Sequence, residues 1–208
     1  MKNPKLPFDM DIILNSFSLL TENSSDLMTK WFSSNFKISE HDLKRLEIIR
    51  NHYQEEGDYW NEEELKVRFI AQIMEISQME EKGRVKAFLE RNIKTNTKNY
   101  EINVNVDLML ATPLGKNSPQ RPYFFLQELK KGKKSGNDPE AQMLAAMLAS
   151  QILNSDEKPI FGCYEVGRNW YFTTLEGNKY VLSRQFDATN HGDLIQIVNI
   201  LHNIKSLI

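Results

Sequence analysis

The most constraining feature of the chain is a strand, a helix and a second strand that follow one another between residues 123 and 166. The segment YFFLQELK (123–130) is apolar on both faces in its first half, which is typical of a central strand covered on both sides. Asp138 and Pro139 then form a helix start, and the alanine-rich helix that follows suits close packing on a sheet. Because a further strand is predicted at 159–166, we expect a right-handed parallel crossover.

The rest of the chain adds strands and helices on both sides of this unit. The pattern of residues 8–56 predicts short helices. A clearer signal for a helix start lies at Asn61, where Glu64 completes a capping box. Strands are predicted at 85–90, 101–110, 169–174 and 179–183, and an amphipathic helix at 193–207 closes the chain. The order predicts an α/β fold, with a mixed β-sheet flanked by helices (60–208) and an N-terminal helical extension (1–59).

Composition limits the classes of function. The net charge is -2, so any contact with nucleic acid must come from a local basic patch. Cys163 is the only cysteine, which excludes an intramolecular disulfide and fits a reducing compartment. Asp9 and Asp11 interrupt the N-terminus where a signal peptide would be apolar, and no apolar run approaches the roughly 20 residues that span a bilayer. We therefore expect a cytoplasmic enzyme or binding protein with no membrane segment.

Two acids and a lysine carry the chemistry that the sequence suggests. Glu128 and Lys130 are two residues apart on one predicted strand, so both side chains point to the same face. Asp107 interrupts the apolar run of the preceding strand and can reach Glu128 if the two strands pair. Two carboxylates suit Mg²⁺ or Mn²⁺, and a lysine beside the ion can orient an attacking water or stabilise negative charge. This grouping predicts a metal-dependent site at one end of the sheet.

The same residues resemble the PD-(D/E)XK nuclease superfamily. The match consists of Asp107 in VDLML and Glu128-Leu129-Lys130 in YFFLQELKK, placed on strand, strand and then helix. No proline precedes Asp107, where the name-giving motif has one. The resemblance implies a restriction-endonuclease-like fold and hydrolysis of phosphodiester bonds in nucleic acid. It also implies that Asp107, Glu128 and the backbone carbonyl of Leu129 bind Mg²⁺ or Mn²⁺, while Lys130 orients the attacking water.

Further residues enter through the same resemblance, which covers residues 60–183. Glu62 resembles the acid on the first core helix of many members, and Gln142 resembles the glutamine that follows the motif in a subset. The segment IFGCYEVGRNWYF resembles the strand pair downstream in that subset, which includes the nuclease domains of type I restriction enzyme R subunits. The basic loop after the motif is expected to contact nucleic acid through Lys131, Lys133 and Lys134.

Each of these residues also has an ordinary structural explanation. Glu128 and Lys130 could form an ion pair at a strand end, although Asp107 needs a reason to lie inside an apolar strand. Glu62 stands at the first helical position, where any acid suits the helix dipole. Gln142 could be a surface glutamine, and the basic run could be a solvated loop.

Three hypotheses follow from the pattern. The first is a metal-dependent nuclease, and the second is a catalytically silent nuclease-fold module that binds nucleic acid or a protein partner. The third is a purely structural ion-pair network. A homodimer is compatible with all three. Metal binding separates the first hypothesis from the third, and turnover separates the first from the second.

Overall fold

The computed structural model describes residues 3–34, 36–130 and 138–208, and a mixed β-sheet of eight strands runs through it. The strands are β1 (Leu20–Glu22), β2 (Lys86–Asn96), β3 (Glu101–Leu114), β4 (Ser118–Lys130), β5 (Ile160–Val166), β6 (Asn169–Glu176), β7 (Lys179–Leu182) and β8 (Phe186–Asp187). They lie in the order β1-β7-β6-β5-β4-β3-β2, and β8 pairs with β6. The pairs β4–β5 and β1–β7 are parallel, and the other neighbours are antiparallel.

Seven α-helices belong to the described residues. They are α1 (Met10–Phe17), α2 (Asp26–Phe32), α3 (Glu40–Glu56), α4 (Glu62–Leu65), α5 (Ala71–Ser77), α6 (Pro139–Asn154) and α7 (His191–Asn203). A π-helical segment, Lys66–Ile70, joins α4 to α5. The predicted crossover is confirmed in its parallel pairing, because α6 connects β4 to β5 and the two strands run side by side.

The sheet separates two hydrophobic cores. Leu126 of β4 packs with α1 and α6 on one face, whereas its neighbour Phe125 packs with α2 to α5 and α7 on the other. Consecutive strand residues point to opposite faces, so a strand that is apolar at every position is covered on both sides. The coarse prediction of a mixed sheet flanked by helices is therefore confirmed, and Trp31 and Trp170 are fully buried in the core.

The predicted helix starts are also confirmed. The side chain of Asn61 accepts a hydrogen bond from the backbone N–H of Glu64, and the Glu64 carboxylate accepts one from the N–H of Asn61. Asp138 caps α6 and Pro139 stands in its first turn. These caps fix the positions of Glu62 and Gln142 in the first turns of their helices.

The fold differs from the expectation in several details, and β3 and β4 are longer than predicted because they extend to Leu114 and from Ser118. The N-terminal segment is not helical throughout, because β1 joins the sheet beside β7. Strand β2 extends to Asn96, well beyond the predicted end at residue 90, since its second half pairs with β3 through the largely polar sequence RNIKTN. Glu90, in the middle of β2, has a φ of 50°, a conformation that is uncommon for a residue with a side chain. Within the three described stretches, no helix combines the length and apolar character needed to cross a membrane.

Candidate active site

Asp107 lies where the pairing between β3 and β4 stops. The register of the two strands runs from Leu114 opposite Ser118 to Leu108 opposite Gln127. Beyond that point a side chain takes the place of the backbone ladder. The Oδ2 atom of Asp107 accepts a hydrogen bond of 2.7 Å from the backbone N–H of Leu129. The acid predicted on one strand is therefore held against the motif segment of the next strand.

A lysine that the sequence analysis did not single out occupies the other oxygen of Asp107. The Nζ atom of Lys66 lies 2.7 Å from Asp107 Oδ1 and 3.0 Å from Glu90 Oε1. The register on either side places Glu90 opposite Asp107, so Lys66 bridges the two strands at this point. Burial lowers the pKa of Lys66, but the hydrogen bonds to Asp107 and Glu90 outweigh burial and raise the pKa above its usual range. The lysine is therefore a permanent cation here.

Glu128 and Lys130 form the second lysine–carboxylate pair of the site. Lys130 Nζ lies 2.6 Å from Glu128 Oε1, and the Glu128 side chain is only 2% exposed. Burial raises the pKa of Glu128 to about 7, Lys130 opposes that rise, and the charges of Asp107 and Glu62 add to it. Burial lowers the pKa of Lys130, but the hydrogen bond and the charge of Glu128 raise it, and the net change is upward. Burial therefore favours the neutral form of this acid up to a higher pH than is usual for a glutamate, while the lysine stays charged.

The two carboxylates approach this end of the sheet from different sides. Alternation along β4 puts Glu128 and Lys130 with Leu126, on the face covered by α6, whereas Asp107 meets Lys66 on the face of α4. The charge of Asp107 nevertheless raises the pKa of Glu128, so the acids lie close enough to repel each other. An ion bound by both carboxylates would have to lie at this end of the sheet, beyond the last β3–β4 pair of Leu108 with Gln127.

Glu62 and Gln142 also lie near this end of the sheet. Glu62 is half-buried at the first position of α4, and its negative charge raises the pKa of both Glu128 and Lys130. Gln142, in the first turn of α6, donates a hydrogen bond of 3.3 Å from Nε2 to the backbone carbonyl of Asn105, two residues before Asp107. The structure thus brings Glu62 into the charged cluster and Gln142 to the strand that carries Asp107. Lys131, Lys133 and Lys134 lie outside the described residues.

A buried polar group next to the motif was missed by sequence reasoning. Glu165 is fully buried on β5, beside Leu129 in the parallel ladder. Its Oε1 accepts hydrogen bonds from Gln127 Nε2 and from the thiol of Cys163, the latter at 3.6 Å. Burial raises the pKa of Glu165 well above its usual range, Gln127 opposes the rise, and Asp107 and Glu128 reinforce it. Burial therefore favours the neutral form of the Glu165 carboxyl.

The sequence contained a signal for Glu165. It is an acid inside the apolar strand IFGCYEV, and the same argument had singled out Asp107. Lys66 had a weaker signal, because it follows Glu62 by one helical turn and so shares its face. Its pairing with β2 and β3 depends on how the helix packs, which no local pattern gives.

The predicted donor atoms are of the chemical type that a hard divalent cation prefers. Asp107 and Glu128 supply carboxylate oxygens, the type of ligand that Mg²⁺ and Mn²⁺ prefer. Asp107 Oδ1 already attracts a cation, since the Lys66 ammonium lies against it. Across residues 3–34, 36–130 and 138–208, no three His, Cys, Asp or Glu side chains are grouped so that they could hold a metal ion. The predicted set has only two such side chains and a backbone carbonyl, so it does not depend on a group of that kind.

Comparison with known protein families and curated proteins finds no match: no family model matches the chain, and no curated protein matches it significantly in sequence. What the described residues give is a mixed α/β sheet with two lysine–carboxylate pairs at the point where two central strands separate.

Proposed function

We propose that this protein is a metal-dependent nuclease of the restriction-endonuclease-like type, which hydrolyses phosphodiester bonds in nucleic acid. The observation that carries the proposal is the meeting of Asp107 with the Glu128-Leu129-Lys130 segment through the 2.7 Å hydrogen bond to Leu129 N–H. An ordinary ion-pair network would not need an acid from a neighbouring strand to bind the backbone between the other two charged residues.

Asp107, Glu128 and the carbonyl of Leu129 would hold Mg²⁺ or Mn²⁺. When bound, such an ion neutralises a phosphodiester oxygen and lowers the pKa of a bound water. Glu128 must be ionised to act as a ligand, and its pKa of about 7 means that binding is coupled to release of a proton. The ammonium of Lys130, held by Glu128, can orient the attacking water or offset charge on the phosphate.

The remaining residues of the proposal act at the edges of the site. Glu62 adds negative charge beside Lys130 and so keeps that lysine protonated. Gln142 braces β3 through the carbonyl of Asn105, which steadies the strand that presents Asp107. The basic run after β4 would contact the phosphate backbone through Lys131, Lys133 and Lys134.

One observation favours the second candidate, a catalytically silent module that binds nucleic acid or a protein partner. Both oxygens of Asp107 already have partners within the chain, one from Leu129 and the other from Lys66. A carboxylate satisfied in this way does not need a metal ion to be stable in the fold. The two candidates differ in whether a cation displaces Lys66 from Asp107.

The experiment that tests the proposal compares Asp107→Asn with Asp11→Asn. The asparagine keeps an acceptor for the Leu129 N–H but loses the charge that binds a cation, whereas Asp11 is an exposed acid in the first turn of α1. Mn²⁺ affinity is measured by calorimetry, and cleavage is measured on labelled single- and double-stranded DNA and RNA. We expect Asp107→Asn to lose Mn²⁺ binding and cleavage, and Asp11→Asn to keep both.

Two other results have defined meanings. Binding of Mn²⁺ and oligonucleotide by the unaltered protein without cleavage of any substrate would support the silent module. Absence of both kinds of binding would contradict the nuclease and the nucleic-acid-binding form of the module, and would leave the charged cluster as a structural ion-pair network.

A further inference from the structure

A groove with a cavity volume of about 650 Å³ runs between the helical segment that follows Lys66 and strand β2. Its walls present two large apolar side chains to solvent, Val67 at 65% and Leu89 at 60% exposure. Large apolar side chains that are exposed singly are ordinary, whereas two that line one apolar groove form part of a larger apolar surface. The apolar lining includes Val67, Ile70, Met74, Met79, Leu89 and Leu108.

The rim of the groove is acidic. Among the described lining residues, five carboxylates stand against a single ammonium, that of Lys66. Lys66 is already bound to Asp107 and Glu90, and Arg45 outside the groove pairs with Glu75 at 2.6 Å. These cations leave an excess of negative charge along the rim. The acids are Glu63, Glu75, Glu80, Glu90 and Asp107.

We propose that this groove docks a basic amphipathic helix of a protein partner. An apolar groove accepts the apolar face of a helix, and an acidic rim selects Lys or Arg on the flanks of that face. Met74 and Met79 provide flexible, polarisable side chains that adapt to the helix that binds. The docking surface does not depend on the proposed nuclease function, although Asp107 and Leu129 line the groove as well as the candidate active site.

Other occupants fit less well. A nucleic-acid strand would bring phosphates to a rim that already carries excess negative charge. The chain's own run KGKKSGN has the right charge, but it has no apolar side chain to fill the groove. A basic helix with one apolar face can pack that face on the apolar floor of the groove and pair its cations with the acids of the rim.

The test uses a synthetic helical peptide of about four turns, with leucines on one face and lysines on both flanks. A scrambled peptide of identical composition controls for unspecific attraction between charges, and a peptide with glutamate in place of lysine tests the role of the rim. Binding to the full chain is measured by fluorescence anisotropy of the labelled peptide. The variants Val67→Ser and Leu89→Ser remove apolar contacts of the groove, and Ile48→Ser on α3, where the side chain is 67% exposed, is the matched control.

We expect the leucine–lysine peptide to bind and the other two peptides to bind at least tenfold more weakly. Val67→Ser and Leu89→Ser should each weaken binding roughly tenfold, while Ile48→Ser should leave it unchanged. Because all three side chains are exposed, thermal unfolding of the variants should match that of the unaltered protein. Equal binding of the scrambled peptide, or no effect of the two groove variants, would overturn the proposal.

Two further measurements cover the competing occupants. Binding of a single-stranded oligonucleotide should not change in Val67→Ser or Leu89→Ser, and a loss there without a loss of peptide binding would overturn the proposal in favour of nucleic acid. Sedimentation of the protein alone should show no dimer that these variants abolish. Such a dimer would assign the groove to a second copy of the chain.

Discussion

The site contains two lysine–carboxylate pairs that are built in different ways. Lys130 and Glu128 belong to one strand, two residues apart, and the acid is almost completely buried. Lys66 and Asp107 come from a helical segment and a strand, and both side chains keep about a fifth of their surface exposed, at 22% and 17%. The first pair is a property of local geometry, whereas the second exists only because the helix packs across β2 and β3.

Under the proposed function, the two pairs have different roles in metal binding. Glu128 is an acid whose charge is costly in its buried place, so it gains from any cation that arrives. Asp107 is already satisfied by Lys66 and Leu129, so a cation must displace a partner in order to bind it. Under the proposed function, Glu128 attracts the metal ion and Lys66 sets how tightly it is held.

The largest expected effect concerns the pH dependence of stability. The pKa of Glu128 is about 7 in the folded chain, raised from 4.5, so the folded state binds more protons than the unfolded state between these values. The free energy of unfolding should therefore fall as pH rises from about 4.5 to about 7. Glu128→Gln cannot ionise, so without metal it should gain up to ~3 kcal/mol over the unaltered protein at pH 8 and little at pH 4.5.

Denaturant unfolding at several pH values, in the presence of a chelator, measures this difference. Glu22→Gln is the control, because Glu22 lies in the short edge strand β1 with a side chain that is 38% exposed. A constant difference between Glu128→Gln and the unaltered protein across the pH range would show that Glu128 ionises freely and is not held in a costly buried state.

The contacts that could be predicted from the sequence are those set by local geometry, and the contacts that could not are those set by packing. Strand parity put Glu128 and Lys130 on one face, an acid in an apolar run singled out Asp107, and the caps at Asn61 and Asp138 fixed two helix starts. Those inferences use neighbours within a few residues. No local pattern predicts the contact between Lys66 and Asp107, because that contact depends on packing between elements.

Two other parts of the fold escaped prediction for related reasons. Strand β1 is only three residues long, and it is defined by its pairing with β7 at the far end of the chain. The second half of β2 is largely polar, so the apolar alternation that identifies a half-buried strand is weak there. Backbone pairing with β3 holds both polar and apolar residues of this stretch in the sheet.

The second prediction concerns turnover and uses the local pair. Lys130→Ala should keep the metal ligands, because an ammonium is not a ligand, but it should slow cleavage roughly a hundredfold or more. Mn²⁺ affinity by calorimetry and single-turnover cleavage on the best oligonucleotide measure the two effects separately. Loss of Mn²⁺ binding together with turnover would show that Lys130 maintains the ligand geometry and does not act on the substrate.

The third and smallest effect uses the pair formed by packing. Lys66→Met removes the ammonium from Asp107 while it keeps most of the side-chain volume, so Mn²⁺ should bind roughly fivefold more tightly. Lys94→Met is the control, since Lys94 pairs at 3.0 Å with Glu101 on the same two strands, away from the site. Weaker binding in Lys66→Met would mean that the lysine organises the site for metal and does not compete with it.

The most direct test of the central claim is to soak crystals of the protein in Mn²⁺ and to measure the anomalous density at the manganese edge. We expect one peak beyond the last β3–β4 pair, about 2.2 Å from a carboxylate oxygen of Asp107 and of Glu128, with Lys66 moved away from Asp107. A site without anomalous density, in which Lys66 still contacts Asp107, would contradict a metal-dependent nuclease.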